Sequence, residues 1–312
     1  MLSRPGSGPW WIDVESPTPQ EMRMLSRVFH IHPLTVEDMF QGVECPQETR
    51  EKVELFAAYY WIVVKTFDDE LTPFNFYLLV FPEGILTIHF EPTLHPTNVL
   101  KRISQLVDYG FALTPSWICY ALIDDITDSY TPVIRLIEGE VESIDDLVLV
   151  LKGKEQSDML RRIGRARKQV MLMLRLLATK SDVVKTLIKR VGLEKVGADT
   201  ALYFGDIQDH VLTMLQNLQF YDKTLARAHS NYLASISIEI TQSNEAMNNV
   251  VAKLTIVATV MVPLNLITGL WGMNVKVPGQ DIDSENWFYM IITAMACFVG
   301  TVLFLARRNG LL

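Results

Sequence analysis

Two stretches near the C-terminus leave this chain few places to go. Leu254 to Met273 and Trp287 to Ala306 each run for twenty residues without a charged side chain. At about 1.5 Å of rise per residue, twenty apolar residues match the roughly 30 Å hydrocarbon core of a bilayer. Buried core helices are seldom this long and uncharged, so the stretches read as a transmembrane hairpin. The segment between them, Asn274 to Asn286, holds Lys276 against Asp281, Asp283 and Glu285, whereas Lys253 precedes the first span and Arg307 and Arg308 follow the second. Basic residues favour the cytoplasmic side, which predicts cytoplasmic termini and an acidic outer loop that draws in cations. Trp271, Trp287 and Tyr289 fall at the outer ends, where amphipathic rings suit the interface.

The residues before the first span are then expected to be cytoplasmic. The 312-residue chain carries a net charge of −8, a poor match to general nucleic-acid binding, which needs a basic surface to neutralise phosphates. Cys45, Cys119 and Cys297 are odd in number and far apart, so no disulfide framework is readable. The first thirty residues are polar and proline-punctuated, unlike a signal peptide. No glycine-rich phosphate loop, CxxC pair, GxSxG turn or nucleophile–base set stands out, which makes an enzyme the weakest reading.

Residues 1–130 read as a mixed α/β domain. Trp10 to Val14 is a short strand, and Ser16 is placed to cap a helix with Pro19 in its first turn and Met22, Leu25, Val28 and Phe29 on its apolar side. Tyr59 to Phe67, Phe74 to Phe81 and Ile85 to Phe90 are aromatic and β-branched enough for strands. Past about residue 115 the pattern is helical, with charge in blocks. Asp124 to Asp146 nets −7 and Lys152 to Arg190 nets +9, with Gly153 between them. Residues 131–253 are therefore expected to hold a helical hairpin with complementary arms, followed by a stalk. The basic block lacks interleaved aromatics, which disfavours a nucleic-acid surface. Asp206 to Val262 runs 57 residues without Gly or Pro, and Val211, Met214, Leu215, Leu218, Tyr221 and Leu225 recur at helical spacing. It reads as one long helix entering the first span, able to bend first at Pro263. Residues 254–312 are the transmembrane hairpin, and the fold class is an α+β membrane protein.

A lone hairpin cannot enclose water, so a path through it requires several copies about an axis. Asn248, Thr255, Thr259, Asn265 and Thr268 mostly recur near helical spacing, and Gly269 permits close approach. An amide such as Asn265 in hydrocarbon is costly unless it faces protein or water. No acid lies within the span. A passing ion would meet neutral groups and keep its hydration, which suits Mg²⁺, an ion that sheds water reluctantly. From a different class, the chain could be a membrane-tethered cytoplasmic scaffold that moves no ion.

Gly272-Met273-Asn274 closes the first span, within Leu266-Ile267-Thr268-Gly269-Leu270-Trp271-Gly272-Met273-Asn274. In that position it resembles the signature of the CorA family of magnesium channels. The continuation Val275-Lys276-Val277-Pro278-Gly279-Gln280 resembles the fungal branch linked to aluminium resistance, and His32 to Asp38 and Ala121 to Asp128 also resemble family segments. The resemblance implies a homopentameric funnel whose first span lines the pore. It places Gly272, Met273 and Asn274 at the outer entrance as the selectivity filter, with Asn248, Val251, Leu254, Ala258, Val262, Asn265 and Gly269 facing the axis. Several members have methionine where Val251 and Val262 stand here, a departure at the hydrophobic constriction.

The resemblance also implies closure by intracellular Mg²⁺ held between neighbouring cytoplasmic domains, with Asp68 or Asp69, Asp124, Asp128 and Asp206 as the bridging acids. A divalent ion relieves the repulsion of facing carboxylates. Mg²⁺ is then both substrate and regulator, with Co²⁺ or Ni²⁺ also admitted. The partners are further copies of the chain and the lipid bilayer, that of the plasma membrane ahead of the vacuolar one. His30 with His32, and His89 with His95, invite a zinc site, but no cysteine or carboxylate pattern accompanies them. A zinc transporter of the same superfamily is the nearest alternative, and Met273 argues against it, since that branch usually departs from GMN at the middle residue.

Overall fold

A computed structural model of the chain describes residues 9–44, 49–68, 70–107, 113–148, 156–191, 198–279 and 285–308. The chain divides into two compact units, Met1–Asn231 and Tyr232–Leu312. The first is built on a five-stranded sheet of β1 (Trp10–Glu15), β2 (Lys52–Leu55), β3 (Tyr60–Phe67), β4 (Pro73–Val80) and β5 (Gly84–His89), in the order β1-β5-β4-β3-β2. Neighbours run antiparallel except β1, which pairs parallel to β5 with Trp10 opposite Gly84. Gly84 leaves room for the Trp10 ring that lies against it.

Helices α1 (Pro19–Phe29) and α2 (Pro33–Glu44) connect β1 to β2. Their Met22 and Met39 join Trp61, Val63, Tyr77, Leu79, Leu86 and Ile88 in one core. The alternate residues Ile62, Val64, Phe76, Leu78 and Ile85 are buried as well, and α4 (Pro115–Asp128) packs on β4 and β5. Cover on both faces is why β3, β4 and β5 read as continuous apolar runs rather than alternating ones. The sequence pattern misses β2. Lys52-Val53-Glu54-Leu55 alternates for only two periods, and its pairing with β3 holds it in the sheet.

Ser16 does not cap α1. Its φ is 46°, and its hydroxyl donates to the Phe90 carbonyl at 2.7 Å, tying the end of β1 to the end of β5. Three residues beyond it stands Pro19, which has no N–H to give. The cap is Thr18: its hydroxyl accepts from the Glu21 N–H, and the Glu21 carboxylate accepts from the Thr18 N–H at 2.8 Å, a reciprocal capping box.

The remaining helices are α3 (His95–Val107), α5 (Tyr130–Val148), α6 (Gln156–Val191), α7 (Ala198–Trp271) and α8 (Asn286–Arg308). The acidic and basic blocks do meet. Arg162 of α6 forks onto both carboxylate oxygens of Glu140 of α5, each at 2.9 Å. Arg167 reaches Asp222 of α7 at 3.2 Å, and Arg227 reaches Asp145 at 2.8 Å. Such exposed pairs contribute at most about 1 kcal/mol each. The buried rows Ile134-Ile137-Val141-Ile144, Val170-Met173-Leu177 and Val211-Leu218-Leu225 carry more of the stability. The break expected at Gly153 lies outside the described residues.

In the second unit, the end of α7 and all of α8 belong to the two helices long and apolar enough to cross a membrane. Pro263 sits inside α7 and does not end it.

Candidate functional site

The candidate ion path is set by which side of α7 its own chain shields. Between residues 251 and 271 the half-buried positions are Ala252, Ile256, Val260, Pro263, Leu264 and Ile267. They recur every three or four residues and form one stripe. Helix α8 has a similar stripe at Ile291, Met295, Val299, Val302 and the buried Ala306. Val251, Leu254, Ala258, Val262, Asn265 and Gly269 are all exposed. At about 100° per residue they fall on the opposite side of the helix from the shielded stripe. Asn248, also exposed, lies one turn earlier but about 75° round the helix from the centre of that face.

The polar atoms of this stretch are arranged asymmetrically. The hydroxyls of Thr255, Thr259 and Thr268 donate to the carbonyls of Val251, Thr255 and Leu264 at 2.8, 2.7 and 3.1 Å. Pro263 has no N–H, so the Thr259 carbonyl lacks its helical donor. Helix α7 ends at Trp271, and the Gly272 N–H still bonds back to the Thr268 carbonyl at 3.0 Å. Met273 and Asn274 follow in an exposed bend, and the Asn274 amide has no hydrogen-bond partner among the described residues. Gly279, at φ 94°, lies against Trp287 so closely that a Cβ would come within 2.7 Å of the ring. Of the expected outer-loop acids, Glu285 leads into α8, its carbonyl accepting from the Tyr289 N–H at 3.2 Å. Asp281 and Asp283 lie outside the described residues.

The candidate regulatory acids separate into two places. Asp124 and Asp128 stand one turn apart on α4, and the Tyr120 ring one turn before them meets Tyr203 of α7 at a tilt and Phe204 edge-on, at 5.2 and 5.9 Å between ring centres. That contact brings Asp206 and His210 of α7 beside the α4 acids. Asp206 acts electrostatically on Tyr120, and His210 on Asp128. Arg102 of α3 donates to Asp124 at 2.6 Å and lies over the Tyr120 ring. Burial, then the Asp124 charge, holds the Asp128 carboxyl above its ordinary value, against the opposing pull of His210. The sequence reading missed Arg102, Tyr120 and His210. The i, i+4, i+8 spacing of Tyr120, Asp124 and Asp128 was the available signal.

Asp68 is elsewhere, in the turn between β3 and β4. Its carboxylate accepts from the Glu70 and Thr72 N–H groups at 3.0 and 2.8 Å, so it builds the turn. Asp69 lies outside the described residues. Among the described residues, no three His, Cys, Asp or Glu side chains converge as a metal site.

Of the two histidine pairs, His32, His89 and His95 hold ring hydrogen bonds within the fold. His89 Nδ1 bonds the Glu91 carbonyl at 2.7 Å, and the ring stacks on Phe76. His95 links Asp125 at 2.7 Å to Thr66 at 2.9 Å. His30 ends α1 in the left-handed region, and His32 Nδ1 accepts from the Leu34 N–H at 3.2 Å.

Comparison with known proteins gives this arrangement a family. The magnesium transporter ALR2 of Saccharomyces cerevisiae is 41 % identical, over 98 % of this chain and 41 % of its own length. A Schizosaccharomyces pombe protein provisionally named a metal ion transporter is 48 % identical, over 93 % of this chain and 49 % of its own. The chain thus spans less than half the length of these relatives. Among solved structures, the CorA magnesium transporter of Methanocaldococcus jannaschii matches all of this chain and 94 % of its own with a TM-score of 0.66, a likeness of fold at 21 % identity. These names are those of transport proteins, not enzymes. The model of the CorA-like Mg²⁺ transporter proteins matches residues 6–308, from ahead of β1 to the end of α8, and the chain belongs to that family.

Proposed function

We propose that the chain assembles with copies of itself, as a homopentamer, into a channel for passive influx of hydrated Mg²⁺ that also admits Co²⁺ and Ni²⁺. One observation carries this reading. The open face of α7 bears Asn265, holds no acid within the span and ends in Gly272-Met273-Asn274, while the opposite face is shielded. An amide open to lipid is costly unless protein or water covers it, and copies about an axis supply both. Neutral groups cannot strip Mg²⁺ of its water, so the ion passes hydrated, met first by the exposed Asn274 amide. The magnesium transporter name borne by the yeast relative supports the choice of ion.

Lys253, Arg307 and Arg308 flank the spans on one side, which supports cytoplasmic termini, and the plasma membrane is the proposed location. An inside-negative potential then drives entry at about 2.3 kcal/mol per charge per 100 mV, counted twice for a divalent ion. Closure comes from intracellular Mg²⁺ held between neighbouring cytoplasmic domains. Asp124, Asp128 and Asp206 form one acidic face for it, and Asp68 and Asp69 are the candidate counterparts on the next copy.

The test is Mg²⁺ entry into dye-loaded proteoliposomes under an inside-negative potential, native against Asn274→Ala. Entry that falls sharply in the variant is the expected result. No entry in either, with folded and oligomeric protein, would favour a tethered scaffold, and entry of Zn²⁺ without Mg²⁺ would favour a zinc transporter.

A further inference from the structure

Strand β1 lies at the edge of the sheet, with β5 as its only partner strand among the described residues. It ends with Glu15 opposite His89, the last residue of β5. The next residue, Ser16, donates its N–H to the His89 carbonyl at 2.8 Å. Ser16 stands at φ 46°, a conformation that a serine keeps only where its surroundings hold it. The end of β1 is therefore fastened at His89 and under strain just beyond it.

The His89 side chain is buried, the residue being 2 % exposed, and its ring stacks on Phe76 of β4 at 5.5 Å between centres. Both ring nitrogens face oxygens that only accept. Nδ1 lies 2.7 Å from the Glu91 carbonyl, which fixes a proton on that nitrogen. Nε2 is buried without a hydrogen bond and faces Asp13 Oδ2 of β1 at 3.5 Å. Asp13 is aimed by its neighbours: its Oδ1 accepts from the Thr87 hydroxyl at 2.5 Å, and that hydroxyl accepts from Trp11 Nε1 at 3.0 Å.

A neutral imidazole has one proton, and the Glu91 carbonyl takes it, so Nε2 turns a lone pair toward a carboxylate. A charged imidazole has two protons and meets both oxygens. The charged groups that face the ring are Asp13 and Glu15 of β1, while β4 presents the uncharged Phe76. Burial opposes the charge, but the Asp13 carboxylate, the Glu91 carbonyl and the Glu15 charge outweigh it. Together they hold the His89 pKa above its ordinary 6.5.

We infer that His89 is a proton-operated fastener of the edge strand: charged, it grips Asp13 and with it the end of β1, and on losing its proton it lets that end open. A raised folded value means that the tie is fully present below pH 6.5 and is lost as pH rises through that value. The device responds to alkalinisation, and the element it releases is the strand that leads into α1.

The experiment is hydrogen exchange read by mass spectrometry on the full chain in detergent and Mg²⁺-free buffer, at about pH 6 and about pH 8.5, with rates corrected for the intrinsic effect of pH. In the native chain, protection of the peptide holding Trp10–Glu15 should fall by about threefold or more at the higher pH, while β3 keeps its own. Asp13→Asn, at a partly exposed position, offers an amide that can donate to a neutral Nε2, so the step should vanish or reverse. His89→Phe keeps a ring against Phe76 with no proton to lose, and the step should vanish there too. No step in the native chain, or an equal step in native and Asp13→Asn, would overturn the proposal. If His89→Phe fails to fold by thermal melting, Asp13→Asn decides alone.

Discussion

Lys180 and Glu51 meet at 2.7 Å across 129 positions of sequence, with neither side chain reaching solvent. The pair ties the middle of α6 to the segment that enters β2, and the Tyr130 ring lies 5.1 Å from the ammonium. Removing one partner leaves the other charge buried and uncompensated. Lys180→Met is expected to lower stability by about 3–5 kcal/mol, and adding Glu51→Gln to recover part of that loss. Thermal unfolding of both variants checks this, and equal losses would show that shape rather than charge was at stake.

The opposition of open and shielded faces on α7 makes a paired prediction. Asn265→Leu suits lipid and protein alike, yet it should cut Mg²⁺ entry by about tenfold by drying the path. Ile267→Leu, on the shielded stripe, should leave entry near native. Equal effects of the two changes in the proteoliposome assay would remove Asn265 from the axis.

Asp128 offers a test of the acidic face that needs no transport. Its carboxyl is raised by burial and then by Asp124, so the folded chain binds this proton more readily than the unfolded one. Stability is then lost as pH rises from the ordinary value of 3.8 through the folded value, and the cost persists at neutral pH. The side chain is only partly withdrawn from water, so screening limits the effect to about a few tenths of a kcal/mol. Asp128→Asn should therefore raise the melting temperature slightly at neutral pH and not below the carboxylate range. Added Mg²⁺ should raise it more in the native protein than in the variant. A variant less stable than native at neutral pH would contradict the repulsion.

Gly279 is required twice over, by its φ of 94° and by the Trp287 ring. Gly279→Ala should cost about 1–3 kcal/mol locally and shift Trp287 fluorescence. Gly279→Asn separates the causes, because Asn tolerates the left-handed region but still carries a Cβ. Recovery with Asn would assign the cost to backbone strain alone.

What could be read from the residues was whatever repeats locally. The two uncharged stretches, the long helix and strands β3 to β5 each announce themselves within a few residues. The capping of α1 was misread by two positions, because Ser16 looks like a cap until the missing N–H of Pro19 is considered. Strand β2 was missed because partner pairing, not local pattern, makes it a strand. The acids show the same limit. Asp68 and Asp124 look alike in sequence, yet one builds a turn and the other pairs with Arg102 beside α7. Nothing short of the Tyr120–Tyr203 contact reveals that Asp206 belongs with Asp124. The buried Lys180–Glu51 pair was equally out of reach, since it depends on α6 crossing a strand more than a hundred residues earlier.

Thr255, Thr259 and Thr268 spend their single protons on their own helix, so lone pairs are what they turn toward anything beside them. Together with the undonated Thr259 carbonyl, this makes Thr255 and Thr259 electron-rich without being charged. In the proposed channel, a surface of that kind would tell the sign of an ion from the direction its dipoles point, with these hydroxyls offering oxygen to a hydrated cation and no proton to an anion. It keeps that polarity at any pH, because nothing in it titrates.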